Sequence, residues 1–344
     1  LFQRGDRVRL RFINAASNSF YDVRIPGLKL TVIQADGQDV EPVTVDEFRF
    51  GPGETYDVMV EPQDDAYTIF AQSMERSGYA RGTLSVRQGL TAPVPEPDSP
   101  EWLTMKDMMG AMGGGAMGHD MMKMDSMGQT KMDHSQMSGG MAMDHSMHGM
   151  QQGSDNPLAK PSSTIRHART EYGASVDQRV DTPSTNLDDP GIGLRNLSQR
   201  GLRPQGHRVL TLADLKSIDG VLDDRRPPAR ELELHLTGNM ERYSWSFDGL
   251  EFGKSTPVSL RHNERVRIIL QNDTMMTHPM HLHGMWSELE TDQGELRVRR
   301  HTIPVQPAQR ISYLTTPHDL GRWAWHCHLL FHMDAGMFRE VVVS

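Results

Sequence analysis

Residues 1 to about 92 alternate between apolar and polar positions with a period of two. "RVRLRFINA", "YDVRIPG", "LKLTVIQADG", "VTVDEFRF", "TYDVMVEP", "YTIFAQS" and "GTLSVRQG" follow one another with turn residues between them. Arg and Asp stand between Val, Leu, Ile and Phe, the pattern of strands with one wet and one buried face. This spacing predicts a β-sandwich over 1–92. The pattern returns from about 206 to 344 in "RELELHLTG", "YSWSFDG", "RVRIILQND", "RISYLTT", "RWAWHCHLL" and "FREVVVS". Only "LADLKS" and "HLLFHMD" carry a short helical period. The predicted fold class is all-β, with two β-sandwich domains.

Between the two blocks, from about 93 to 205, the periodicity is lost. Residues 105–150 are low in complexity and dense in Met, and "SSTIRHARTEYGASVDQRVDTPSTNLDDPGIGLRN" beyond them is polar and rich in turns. Such a segment buries too little apolar surface to offset its conformational entropy. The region 93–205 is therefore expected to be a Met/His-rich insert and linker, disordered or loosely attached.

Composition narrows the function. A net charge of −9 argues against nucleic acid as a main partner, because a phosphate-binding surface needs clustered Lys and Arg. No apolar run approaches the ~20 residues that span a bilayer. The single cysteine excludes an intrachain disulfide and leaves a buried thiol, a nucleophile or a metal ligand. The chain opens at Leu1 directly into a strand pattern, which points to an incomplete N-terminus. The lack of a signal peptide then says nothing about location.

That cysteine lies in "HCHLLFHMDAGM", 326–337, about 45 residues after "HPMHLHGMW", 278–286. Side chains alternate along a strand, so His326 and His328 are expected on one face and Cys327 on the other. One short segment can then serve two metal sites. A thiolate, two imidazoles and a weak axial thioether form the ligand set of a mononuclear blue-copper centre. Cys327, His332 and Met337 supply three of these from one loop, and His278 is the natural fourth. His281 and His283, two residues apart, can join His326 and His328 in a second cluster. Taken singly, a His is more often a surface or satisfied core residue, and a buried Cys is more often inert. Structural zinc would want paired Cys or a Cys/His tetrad and leaves Met337 without a role. A Cys–His nucleophile pair leaves the flanking histidines without a task. The joint pattern favours copper.

Met thioethers and imidazoles also make the insert a candidate for weak copper binding. Met108, Met109, Met112, Met117, Met121, Met122, Met124, Met127 and Met132 would take Cu(I), and His119, His134, His145 and His148 would hold Cu(II). The competing readings are a plain linker, although linkers favour Ser, Gly, Pro and charge, and a Met-rich patch for another protein.

"HPMHLHG" and "HCHLLFHMDAGM" resemble the third and fourth copper-binding motifs of the multicopper oxidases. "RIPGLKLTVIQADGQDVEPVTVDEFRF", the Met/His-rich insert, "LDDPGIGLR" and "GRWAWHCHLLFHMDAGMFREVVV" are similar to the bacterial copper-resistance (CopA/PcoA) type. The resemblance covers nearly the whole chain. It implies Greek-key cupredoxin domains, with 1–92 as the family's second domain, lacking copper ligands, and 206–344 as its third. It implies that His278, Cys327, His332 and Met337 are type 1 copper ligands, His281 a type 2 ligand, and His283, His326 and His328 ligands of binuclear type 3 copper. It further implies a periplasmic enzyme that oxidises Cu(I), with phenols as a second substrate class, and reduces dioxygen to water. Electrons would pass from type 1 copper through Cys327 to His326 and His328.

The family's cluster takes eight histidines and this chain offers four, so a further N-terminal cupredoxin domain, in the same or another chain, is an expected partner. A laccase-like oxidase of organic substrates and, for this chain alone, a copper-binding or electron-transfer protein without turnover are the alternatives. Some members carry a carboxylate directly after the last type 1 histidine. Here Met333 stands there and Asp334 follows, and a solvated or capping Asp is the expected reading.

Overall fold

The computed structural model describes residues 1–104, 107 and 169–344. The Met and His positions of the insert singled out above, Met108 to His148, lie outside the described residues.

Among the described residues, nineteen strands fall in two sandwiches. The first contains β1 (Val8–Ile13), β2 (Tyr21–Arg24), β3 (Leu30–Ala35), β4 (Gln38–Val45), β5 (Glu47–Phe50), β6 (Thr55–Val60), β7 (Ala66–Ser73) and β8 (Tyr79–Ser85). These form sheets in the order β1-β6-β3-β4 and β5-β2-β7-β8, all antiparallel. The alternation read from the sequence is the burial pattern itself: Val8–Ile13 alternates half-buried and exposed, and Thr55–Val60 alternates half-buried and buried. Phe48, Phe50 and Tyr56 close the core with edge-to-face and tilted rings, which adds to their area burial.

The run "VTVDEFRF", expected as one strand, is two. Asp46 accepts hydrogen bonds from Arg208 N (2.9 Å) and pairs with Lys29, and the chain there crosses from one sheet to the other. A period-two pattern survives such a corner, so the pattern alone does not show it.

The second sandwich holds β9 (Arg230–Asn239), β10 (Ser244–Phe247), β11 (Val258–Leu260), β12 (Val266–Asn272), β13 (His278–Leu282), β14 (Ser287–Glu290), β15 (Leu296–Arg300), β16 (Thr302–Val305), β17 (Arg310–Thr315), β18 (Gly321–Cys327) and β19 (Phe338–Val343). Its sheets run β10-β9-β12-β17-β14-β15 and β11-β19-β18-β13-β16. One helical turn, α1 (Leu330–Asp334), follows β18, where "HLLFHMD" predicts it. Asp334, at its end, is exposed. Among the described residues no helix is long and apolar enough to cross a membrane.

The expectation of loose attachment fails for the flanks of the insert. Val180, Leu187, Leu194 and Leu197 are buried, and the linker is pinned by ion pairs. Arg203 holds both Glu47 and Asp98, and Arg76 donates to Gly193 O at 3.2 Å. Scattered leucines and arginines fix a segment whose described residues hold only a short 3-10 turn (Arg169–Tyr172) and no named strand, and so carry no period.

The two sandwiches are joined by a buried charge cluster. Arg300, at the end of β15, donates to Asp36 (2.8 and 3.2 Å), Glu54 (2.7 Å) and Tyr56 Oη (3.0 Å), all on the first sandwich. Arg300, Asp36 and Glu54 are essentially inaccessible. Removing one member of such a cluster strands the others as uncompensated buried charge, which costs about 3–5 kcal/mol. Arg300→Leu is expected to lower unfolding stability by about that much in denaturant titration; a loss under about 1 kcal/mol would contradict the role given to Arg300.

A second buried group makes stability depend on pH. His235 Nδ1 lies 2.6 Å from Asp273 Oδ2, and Nε2 lies 3.2 Å from Glu233 Oε1. Burial opposes its charge, but these carboxylates outweigh burial and raise its pKa from 6.5 to about 9. A raised histidine pKa stabilises the fold in full below about 6.5, and that stabilisation is lost as pH rises through about 9. The unfolding free energy is expected to decline over that window in the natural chain, and the decline should flatten in His235→Gln. Equal slopes in the two would refute the assignment.

Candidate metal centre

The site is built on two neighbouring antiparallel strands. Met280 of β13 is directly opposite Cys327 of β18, and His281 is opposite His326. Opposed residues share a face and successive residues do not. Hence His278 and Met280 lie on the Cys327 side, and His281 lies with His326 on the other.

On the inner side, Cys327, His278 and His332 are buried. Cys327 Sγ is 3.5 Å from His278 Nδ1 and 3.7 Å from His332 Nδ1, and the two Nδ1 atoms are 3.1 Å apart. Among the described residues this is the only group of three or more His, Cys, Asp or Glu donors gathered within 4.8 Å of one another. A point equidistant from the three atoms is about 2.0 Å from each, the length of a metal–imidazole bond. The donor set, two nitrogens and one thiol, suits a borderline-to-soft transition ion.

The supports of these ligands are specific. Asn272 Nδ2 donates to Val305 O and Gln306 O, both at 3.0 Å, so its Oδ1 faces Thr274 and accepts the Thr274 hydroxyl at 2.8 Å. With that proton committed, Thr274 Oγ1 accepts from His278 Nε2–H at 2.7 Å, which leaves a lone pair on Nδ1 facing the site. Trp245 stacks on His332 with ring centroids 4.0 Å apart. Met337 is fully buried, its N–H donates to His332 O (2.9 Å), and its carbonyl accepts Cys327 N–H (3.1 Å). Gly336 has φ +119°, and a Cβ there would stand 2.5 Å from Trp245 O, so the turn that carries Met337 back requires glycine.

Burial sets the protonation. It pushes His278 well below the ordinary histidine value, with His332 adding to the shift, and takes His332 down to about 4. Burial also pushes the Cys327 thiol upward. Both imidazoles therefore offer neutral lone pairs at pH 7. The thiol must give up a proton to a metal, so binding releases a proton.

On the outer side, His281, His283, His326 and His328 lie with ring centroids 4.6–5.6 Å apart in the described pairs. His281 Nδ1–H donates to His301 O at 2.7 Å, and His326 Nδ1–H donates to Cys327 O at 2.9 Å, which frees both Nε2 atoms. His283 Nε2 and His326 Nε2 face each other at 3.1 Å. Burial lowers the pKa of all three, that of His281 to about 3. Gly53 of the first sandwich backs this group, since a Cβ there would fall 2.5 Å from the His328 ring. The face opens into a cleft of about 530 Å³ lined in part by His281, His283, Trp286, Arg299 and His301.

The structure thus gathers His278, Cys327, His332 and the Met337 backbone at one point and the remaining four predicted histidines at another. Thr274, Trp245 and His301 were not anticipated. Thr274 is four residues ahead of His278 in "NDTMMTH", and no spacing rule singles it out.

The multicopper oxidase family profiles match residues 1–89 and 225–344. Copper resistance protein A of Escherichia coli is 51% identical, with 100% of this chain and 57% of the relative covered. Copper resistance protein A of Pseudomonas syringae pv. tomato is also 51% identical, with the same coverage. The chain therefore spans little more than half the length of these relatives. The crystal structure of Fet3p, a multicopper oxidase that functions in iron import, aligns with TM-score 0.57 at 13% identity, covering 100% of this chain and 56% of that one. The laccase from Botrytis aclada aligns with TM-score 0.55 at 17% identity, covering 99% and 52%. The two structures share its cupredoxin fold. By its two family matches and its similarity over all of its own residues to copper resistance protein A, the chain belongs to the multicopper oxidase family, on the copper-resistance branch.

Proposed function

We propose that this chain is the electron-receiving portion of a periplasmic copper-resistance oxidase that oxidises Cu(I) and reduces dioxygen to water. The buried triangle of His278 Nδ1, Cys327 Sγ and His332 Nδ1 carries the reading. In it, these residues with Met337 hold type 1 copper, His281 serves type 2, and His283, His326 and His328 serve type 3. Residues 1–92 act as the copper-free second domain and 206–344 as the third. Copper, when bound, supplies the one-electron steps between donor and dioxygen. The chain's residues hold neutral imidazoles in fixed tautomers, keep water from the thiol, and join the two donor sets covalently through 326–328.

The outer group counts four imidazoles where the family uses eight. The remaining four come from a cupredoxin domain outside this sequence, which would seat on the open cleft beside His281 and His283. That same count favours, for this chain by itself, a second reading as a copper-binding, electron-transferring unit without turnover. The residues 105–150 collect copper ions through their thioethers and imidazoles.

A copper titration tests these roles together. One tightly held cupric ion with an intense thiolate charge-transfer band is expected, lost in Cys327→Ser and kept in His283→Ala. Deleting 105–150 should keep that band and reduce the number of further Cu(I) ions bound. A band that survives Cys327→Ser, or an unchanged Cu(I) count after the deletion, would contradict the corresponding part.

A further inference from the structure

Trp245 occupies a seat built on both of its sides. Its indole lies 23° from parallel to the His332 ring at 4.0 Å, and edge-on to His278 at 5.2 Å. Its partner across β9 is Gly238, where a Cβ would stand 2.9 Å from the indole carbons. Glycine inside a strand offers nothing to pack and costs backbone entropy, so its presence there marks a close approach. The Trp245 backbone N–H donates to Ala335 O (3.1 Å), which ties the indole's strand to the ligand loop.

Trp245 is 1% exposed and His332 2%. Outside them Tyr243, 49% exposed, meets the indole at 6.2 Å with the rings perpendicular. Tyr243 is exposed and meets the indole, and the buried indole stacks on the buried His332 ring.

We propose that Trp245 is the specificity-determining residue of this redox site: its indole fills the face of His332 on which a planar organic donor would stack, so donors meet the Tyr243–Trp245 edge instead. The inference rests on the copper reading of the site. A phenol gives up its electron at shortest range when it touches a ligand imidazole, and its proton goes to water. Here that position is filled by a ring wedged between Gly238 and His332. A phenol must stand at least one ring further out, and tunnelling weakens steeply with distance. A donor that does not stack, such as a metal ion losing one electron and no proton, is penalised less. The shield therefore favours Cu(I) over phenols.

The test uses the full chain. In the copper-loaded, oxidised form, single-mixing reduction is followed with 2,6-dimethoxyphenol and with hexaammineruthenium(II), a metal ion that gives up one electron and no proton. Trp245→Ala is expected to raise the phenol-to-ruthenium rate ratio on the order of tenfold, the scale of a reshaped apolar contact, and Trp245→Phe to leave most of the shield in place. In the metal-free form the lone Cys327, now wholly buried, reports opening of the same face. Its reaction with an aromatic disulfide reagent should quicken in Trp245→Ala and stay slow in Phe247→Leu, which loosens the same strand two residues away. An unchanged rate ratio with the charge-transfer band intact, or equal thiol reactivity in Trp245→Ala and Phe247→Leu, would overturn the shield. Absence of the band in the natural chain would overturn the copper reading instead.

Discussion

Everything in the centre depends on the alternation of side chains along two paired strands. β13 and β18 are locked in a register that sets Met280 against Cys327 and His281 against His326. Each strand therefore sends candidate donors to both faces, and none on these strands can change sides without a register slip that moves the others. The pair of donor sets is one object, and the thiol of one set is a single residue away from two imidazoles of the other.

Register alone does not make a ligand. The inner donors must be dry, neutral and aimed, and each property has its own source. Dryness comes from the core in which Cys327, Met280 and Met337 are packed. Neutrality follows from burial, which lowers the histidines and raises the thiol. Aim comes from the Asn272–Thr274–His278 chain and from the indole on His332. The first sandwich contributes rigidity. Ser17 O accepts Leu330 N–H at 2.9 Å, Gly53 backs His328, and Asp36 and Glu54 hold Arg300. The ligand loop is thus braced from a domain whose sequence holds no histidine among residues 1–92.

Much of this was legible in the sequence, and the gaps have physical reasons. The alternating runs of the first block are strands because a half-wet sheet demands that alternation. The two-faced role of 326–328 also follows from period two. Strands β13 to β15 were not read, because the histidines of "HPMHLHG" and the Arg/Glu-rich run to residue 300 replace the apolar positions that normally betray a strand. Linker leucines such as Leu187 and Leu194 pack as isolated pegs, which leave no period. Trp245 read only as a strand aromatic; its stacking on His332 depends on the absence of a side chain at Gly238, a contact between strands that no local pattern encodes.

The account's central claim is that Cys327 and two imidazoles hold one copper ion within the second sandwich. X-ray absorption at the copper edge, on the chain loaded with a single equivalent, tests this most directly. The account predicts one short copper–sulfur bond and two nitrogen neighbours at about 2.0 Å. A first shell of nitrogen and oxygen alone, or one made only of several thioether sulfurs, would contradict it.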